Sequence, residues 1–301
     1  MIKFLKIFMT VIGISLVTIV SSFSAEIKVV TSFSILADLA KNVGGERVEI
    51  ISLVGPDGDA HSYEPKPTDA QNIKNADVIL VNGLNLEGFM TRLIKASGTD
   101  APVIELSKGI VPIKNENDDH HHHHDHGEFD PHAWQSVVNA EIYVKNVTES
   151  FCTVDVEGCD TYKNNAQEYT KKMKLLDKKI RSEISQIPDD KKTIITSHDA
   201  FGYFAQEYGL IFLAPQGVST ESEATASSVA KLITQIKADK ASALFIENIS
   251  NKRLIEQIAK ETGLKISGQL YSDALSSVSG PASTYINMME HNLNTIITAI
   301  H

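Results

Sequence analysis

Cysteine is almost missing from this chain: Cys152 and Cys159, in the stretch CTVDVEGC, are the only two in 301 residues. With no histidine beside them and no second CxxC, they make a poor zinc site; in an oxidising compartment the even count reads instead as a short-loop disulfide. Long apolar runs are also scarce. The one candidate, Ile7 to Val20, is too short to span a bilayer comfortably. With Lys3 and Lys6 ahead of it and the small residues of SSFSAE behind, it has the form of a secretory leader, cleaved after Ser24 with Ala25 marking a neighbouring site. A retained membrane anchor is the weaker alternative on segment length. No cysteine lies near this junction, so lipid attachment is not expected.

Positive charge is in short supply too. Against 38 Asp+Glu stand 28 Lys+Arg, a formal net charge of −10, and loss of the leader with its two lysines makes the balance more acidic. That excess argues against nucleic acid and anionic membrane surfaces as partners and suits the attraction of cations. Outside one histidine loop no long low-complexity stretch occurs. With 42% hydrophobic residues the remainder can bury substantial cores, and its length fits two lobes better than one.

What the chain does have is histidine, concentrated in one place. From Asp118 to Trp134 it reads DDHHHHHDHGEFDPHAW, with His120, His121, His122, His123, His124 and His126 in the tract and His132 in the spaced motif that follows. The tract is internal and interrupted by Asp125, unlike a purification tag. Neutral imidazole is the commonest ligand for zinc and its neighbours. A flexible tract binds many divalent ions loosely, however, and is equally readable as a solvated loop. Three distant motifs each add one candidate ligand: His61 in DAHSYEP, His198 in TSHDAFGYF and Asp273 in LYSDALS.

Short Val/Ile-rich runs alternate with helical stretches in both halves. IKVVT, VEIISLV, ADVILVNG and PVIEL come first; TIITS, IFLAP, ALFIEN and LKISGQL come later. A βα pattern stated twice predicts two α/β lobes with largely parallel sheets covered by helices. Between them Tyr162, Ala166, Tyr169, Met173, Leu176, Ile180, Ile184 and Ile187 recur at three- and four-residue steps, the apolar face of a long bridging helix ended by Pro188. The expected division is a leader over 1–24, an N-terminal lobe over 25–150 with the histidine loop at 118–126, a linker and bridging helix over 151–190, and a C-terminal lobe over 191–301. His198 and Asp273 follow β-like runs, His61 lies in a loop after VEIISLV, and Asp130 and Pro131 are placed to open a helix at His132. Residues at the carboxyl ends of parallel strands line the crevice of such folds, so two candidates from each lobe can converge on one cleft.

Over essentially all of the mature sequence the chain resembles the cluster A-I solute-binding proteins of ABC transporters, the zinc and manganese group. The resemblance is carried by LVGPDGDAHSYEPKPTDAQNIKNADVILVNGLNLE, the histidine-rich loop with DPHAW, TSHDAFGYFAQEYGL, and ALFIENISNKRLIEQIAKETG continuing to LYSDALSSVSGPASTYINMMEHN. It implies two similar lobes joined by a rigid helix, one metal held between them, and delivery to a membrane permease by a periplasmic, non-enzymatic protein expected to be a monomer. It also implies that the ligands are His61, His132, His198 and Asp273.

Three imidazoles and a carboxylate suit a tetrahedral Zn2+, whereas manganese prefers more oxygen; Mn2+ or a broad divalent specificity is the alternative. Manganese-specialised relatives tend to carry glutamate where this chain has His198. Tyr63, Asp130, Trp134, Tyr203 and Glu247 are candidates for orienting the ligands or excluding water. His291 and His301 read as exposed helix-end residues. Two further classes are a zinc hydrolase using Glu64 or Glu247 as general base, which a fourth protein ligand such as Asp273 opposes, and a metal-dependent adhesin.

Overall fold

The computed structural model describes residues 27–115, 127–239 and 241–300. The leader, the histidine tract at 118–126 and His301 lie outside the described residues. No helix among the described residues is long and apolar enough to cross a membrane.

The first lobe threads β1 (Ile27–Phe33), α1 (Ser34–Gly44), β2 (Val48–Val54), α2 (Pro67–Lys74), β3 (Val78–Val81), α3 (Met90–Ser97) and β4 (Val103–Glu105) into a sheet of order β2-β1-β3-β4. Then come α4 (Val137–Val154) and the long α5 (Cys159–Ile184). The second lobe repeats the plan with β5 (Thr193–Ile195), α6 (Gly202–Tyr208), β6 (Ile211–Leu213), α7 (Ala226–Asp239), β7 (Ala243–Glu247), α8 (Lys252–Thr262), β8 (Ile266–Leu270) and α9 (Tyr285–Ile300), its sheet running β6-β5-β7-β8. All pairings are parallel. Two parallel-sheet α/β lobes are therefore what the duplicated pattern required, and each of the eight apolar runs contains one strand. Buried faces explain the run composition: β1 has every residue buried except Lys28, as expected of a parallel strand covered on both sides.

In α5 the buried residues are Tyr162, Ala166, Tyr169, Met173, Leu176, Ile180 and Ile184, the predicted stripe. The helix stops short of Pro188, though. After Ile184 the amides of Gln186 and Ile187 each bond the carbonyl three residues back, so the chain winds down in tight turns before the proline. Ile187 is buried just beyond the helix. The expected boundary at 150 falls inside α4, one turn before its end, and that end is tied to the start of α5 by a Cys152–Cys159 disulfide.

The main apolar core is shared between the lobes. It runs from Ile27 through α1, α4 and α5 to Phe201, Phe204, Tyr285 and Ile300 without interruption. A smaller separate cluster, including Ile195, Leu232, Ile236, Leu244, Ile255 and Ile258, lies between β5, β7 and the outer helices α7 and α8. His291 departs from expectation. It lies within α9, half-buried, with Nε2 3.1 Å from the Gln269 carbonyl and its ring edge-on to Tyr271, because α9 packs along β8.

Candidate metal centre

Each lobe has its topological switch beside its first strand, and the four predicted ligands gather where the two sets of carboxyl strand ends face one another. His198 comes three residues after Ile195, the end of β5, and Asp273 three after Leu270, the end of β8. His61 lies on the irregular loop between β2 and α2. His132 follows a narrow stem: Lys114 bridges Phe129 in antiparallel fashion, Asn115 N–H bonds the Glu128 carbonyl and Asp130 N–H bonds that of Ile113. This stem delivers His132 to the cleft.

One ligand atom from each of His61, His132, His198 and Asp273 lies within 4.8 Å of the others, and all four residues are buried. The three Nε2 atoms point inward. His61 Nε2 is 3.2 Å from His132 Nε2 and 3.2 Å from Asp273 Oδ2, His198 Nε2 is 3.1 Å from Oδ2, and His132 Nε2 is 3.6 Å from Oδ1. A tetrahedron with metal bonds of about 2.0 to 2.1 Å has edges of about 3.3 to 3.4 Å, so these spacings suit one small ion. Among the described residues Asp273 Oδ1 has no hydrogen-bond partner and faces only His132 Nε2.

Carboxylates set the orientation of two rings. His132 Nδ1 is 2.7 Å from Asp130 Oδ1, which also accepts the His132 backbone N–H. His198 Nδ1 is 2.6 Å from Glu247 Oε2, while Oε1 accepts the backbone N–H groups of Ser197 and His198. An Nδ1–H held this way turns the Nε2 lone pair toward the site. Burial alone would lower the pKa of His132, but the Asp273 charge and the Asp130 hydrogen bond outweigh it and hold it up at about 9. At His198 burial is likewise overcome, by Glu247 and Asp273, and the imidazole is pushed well up. Burial favours neutral Asp273, yet the facing His198 and His132 keep its carboxyl well below the usual range. A cation coordinating at Nε2 must therefore displace the protons of these two rings, while Asp273 is already ionised to receive it.

The other expected orienting residues are present with particular tasks. Tyr203 O–H donates to the Asp130 carbonyl. Trp134 stands edge-on to His132, and its Nε1–H together with Gln135 Nε2–H donates to the Ser272 carbonyl, bracing the residue before Asp273 across the lobes. Tyr63 O–H donates to Asp69 Oδ2, the carboxylate that also accepts Lys66 N–H at the start of α2. Sequence reasoning missed Gln135, Asn82 and Asp59. Asn82 Nδ2–H holds the Pro131 carbonyl and its Oδ1 accepts Tyr143 O–H; Asp59 Oδ1 accepts His61 N–H. The repeated D-x-H of DAH and DPH was the available signal for Asp59. A Cβ at Gly202 would lie 2.5 Å from Asp130 Oδ2, so a side chain there would have to displace the carboxylate that holds His132.

His61 is the ligand nearest solvent, at 5% exposure where the other three are at 0%. It borders a cavity of about 660 Å³ whose rim includes Tyr63, Glu64, Glu87, Arg92 and Glu221.

A family model described as ZnuA, zinc-uptake complex component A periplasmic, matches residues 29–299. The manganese-binding lipoprotein MntA of Halalkalibacterium halodurans is 32% identical, the match covering 91% of this chain and 88% of the relative. The iron ABC transporter substrate-binding lipoprotein MtsA of Streptococcus pyogenes is 35% identical over 91% and 88%. Among solved structures, the periplasmic zinc-binding protein TroA from Treponema pallidum superposes with a TM-score of 0.85 at 32% identity, covering 91% of this chain and 99% of that one.

Proposed function

The chain belongs to the periplasmic zinc-uptake complex component A family, and from that membership we propose that it captures Zn2+ in the interlobe cleft and delivers it to an ABC permease. The chain is a metal-binding, substrate-binding component of an ABC transporter. The observation that carries the zinc reading is the convergence of three inward Nε2 atoms and one carboxylate at tetrahedral spacing. The fourth protein ligand opposes a hydrolytic zinc site, which keeps a position open for water. Both oxygens of Glu247 are engaged by Ser197 and His198, and Glu64 is exposed at the rim, so neither is poised as a general base. A periplasmic location fits the disulfide between Cys152 and Cys159, which needs an oxidising compartment.

One observation favours manganese as a second reading. Asp273 Oδ1 is unbonded beside Oδ2, so the carboxylate can coordinate through both oxygens and supply the higher, oxygen-richer number that manganese prefers. Native mass spectrometry of the mature protein, as purified and after equal additions of Zn2+ and Mn2+, decides between them. One tightly held zinc is expected; a single manganese retained against zinc overturns the choice. The tract His120–His124 and His126 is proposed as a set of weaker sites. Calorimetry on a chain lacking residues 118–126 should retain one tight zinc and lose the weak binding, whereas His132→Ala should do the reverse.

A further inference from the structure

The two D-x-H segments begin alike and end differently. In each, the aspartate two residues before the histidine accepts that histidine's backbone N–H at 2.9 Å: Asp59 for His61, Asp130 for His132. Asp130 then uses the same oxygen to grip its own histidine ring. Asp59 instead turns its second oxygen outward, where it accepts Ser62 Oγ–H at 2.8 Å and, from the opposite lobe, Thr220 Oγ1–H at 2.6 Å.

We propose that Asp59 and Thr220 form a latch between the lobes that holds His61 in the metal site, so that release of metal begins when this bond parts and His61 withdraws. The inference rests on the reading of the four side chains as metal ligands. Asp59 is a positioning residue, acting on metal only through the loop that carries His61.

Three features support it. His132 and His198 are each backed at Nδ1 by a buried carboxylate, and both leave that partner only if their own lobe deforms. No ring partner is found at His61 Nδ1 among the described residues, so the placement of this imidazole depends on its loop. The loop in turn leans on the second lobe: besides the latch, Asp57 N–H bonds the Leu275 carbonyl and Asp57 Oδ1 accepts Asn248 Nδ2–H. Finally, Thr220 lies between Ser219 and Glu221, which border the cavity at the His61 mouth. Anything that draws on this segment from outside pulls on the hydroxyl that holds Asp59. A hydroxyl bound to a carboxylate is among the stronger hydrogen bonds, yet at a partly exposed position it can be exchanged for water, which suits a bond meant to open.

The test is the rate at which the full mature chain, loaded with one Zn2+, gives the ion up to an excess of chelator. Thr220→Val, which removes the hydroxyl at nearly constant shape, should release zinc about fivefold faster, the scale expected for one hydrogen bond to a charged acceptor at a partly wet site. Thr220→Ser keeps the hydroxyl and should stay within about twofold of the parent. His61→Ala should be faster than either, and adding Thr220→Val to it should change nothing more. Release from Thr220→Val at the parental rate overturns the latch while leaving the metal site standing. An equal acceleration by Thr220→Val in the presence and absence of His61 also overturns it, since the hydroxyl then acts elsewhere. If His61→Ala itself releases zinc at the parental rate, His61 is not a ligand, and both the latch and that part of the metal reading fall.

Discussion

The two lobes repeat one strand order yet hold their halves of the site in opposite ways. In the second lobe His198 and Asp273 stand directly beyond β5 and β8, fully buried, and Glu247 at the end of β7 locks both the ring and the backbone of His198. In the first lobe His61 and His132 ride on loops, and their placement is enforced by aspartates, Asn82, Tyr203 and the opposite lobe. A sheet edge gives ligands positions that vary little, whereas a clamped loop gives positions that can be surrendered. A transport protein needs both, since a site rigid on every side would bind well and deliver poorly.

The largest expected effect tests whether the sheet-borne half dominates affinity. His198→Ala should weaken zinc binding by well over about a hundredfold, beyond the roughly 10- to 100-fold typical of an outer partner. His61→Ala should cost less, because water can enter from the adjacent cavity to take the position. Competition titration against a chelator of known affinity ranks the two, and equal losses would erase the distinction between the halves.

Protons provide the next lever. Metal binding at Nε2 requires a neutral ring, and in the metal-free protein His132 keeps its proton up to about pH 9. Zinc affinity should therefore fall as pH falls, by about a hundredfold between pH 7.5 and 5.5 for each proton displaced. The sign for stability is the reverse. A histidine whose folded pKa is raised above its ordinary value of 6.5 stabilises the metal-free fold fully below that pH and loses this contribution as pH rises toward about 9. Melting of metal-free protein should decline across that window while zinc-loaded protein does not. A flat affinity profile would contradict a site built on imidazoles.

The outer carboxylates sharpen the comparison at smaller scale. Glu247→Gln and Asp130→Asn should each weaken zinc by roughly 10- to 100-fold, with Glu247 the costlier because it also holds two backbone amides of its lobe. The smallest effect belongs to the disulfide. Replacing Cys152 and Cys159 by serine should lower stability by at most about 2.5 kcal/mol on the chain-entropy view of so short a loop, and leave zinc affinity unchanged. Chemical denaturation alongside the chelator titration measures both.

Much of this was readable in the chain. Parallel strands buried on two faces show as dense Val/Ile runs, and the stripe from Tyr162 to Ile184 could come only from a helix with one apolar side. The four candidate residues could be singled out because His198 and Asp273 sit in short motifs just beyond strand ends, His61 sits in a loop motif and His132 follows a conspicuous tract; the structure brings them together. Helix α4 was harder: VVNAEIYVKNVTESFCTV is rich in β-branched residues, and only packing against α1 and α5 makes it a helix. The bracing of Ser272 by Trp134 and Gln135 was invisible, since its acceptor is a main-chain carbonyl that any residue would supply. His291 was misjudged for a related reason: nothing local announces that α9 lies along β8.

The shared core bears on how such proteins can be rearranged. Because apolar packing passes from β1 through α5 to α9 without a seam, the lobes are repeats in topology but not interchangeable cassettes. A chimera that exchanged one whole lobe with a relative of different metal preference would have to rebuild an interior contributed by both parents. The layer formed by α7 and α8 over its own small cluster can be traded almost as a surface part. Grafting should therefore succeed from the periphery of the second lobe inward, and metal preference is more accessible to point changes around the cleft than to recombination across it.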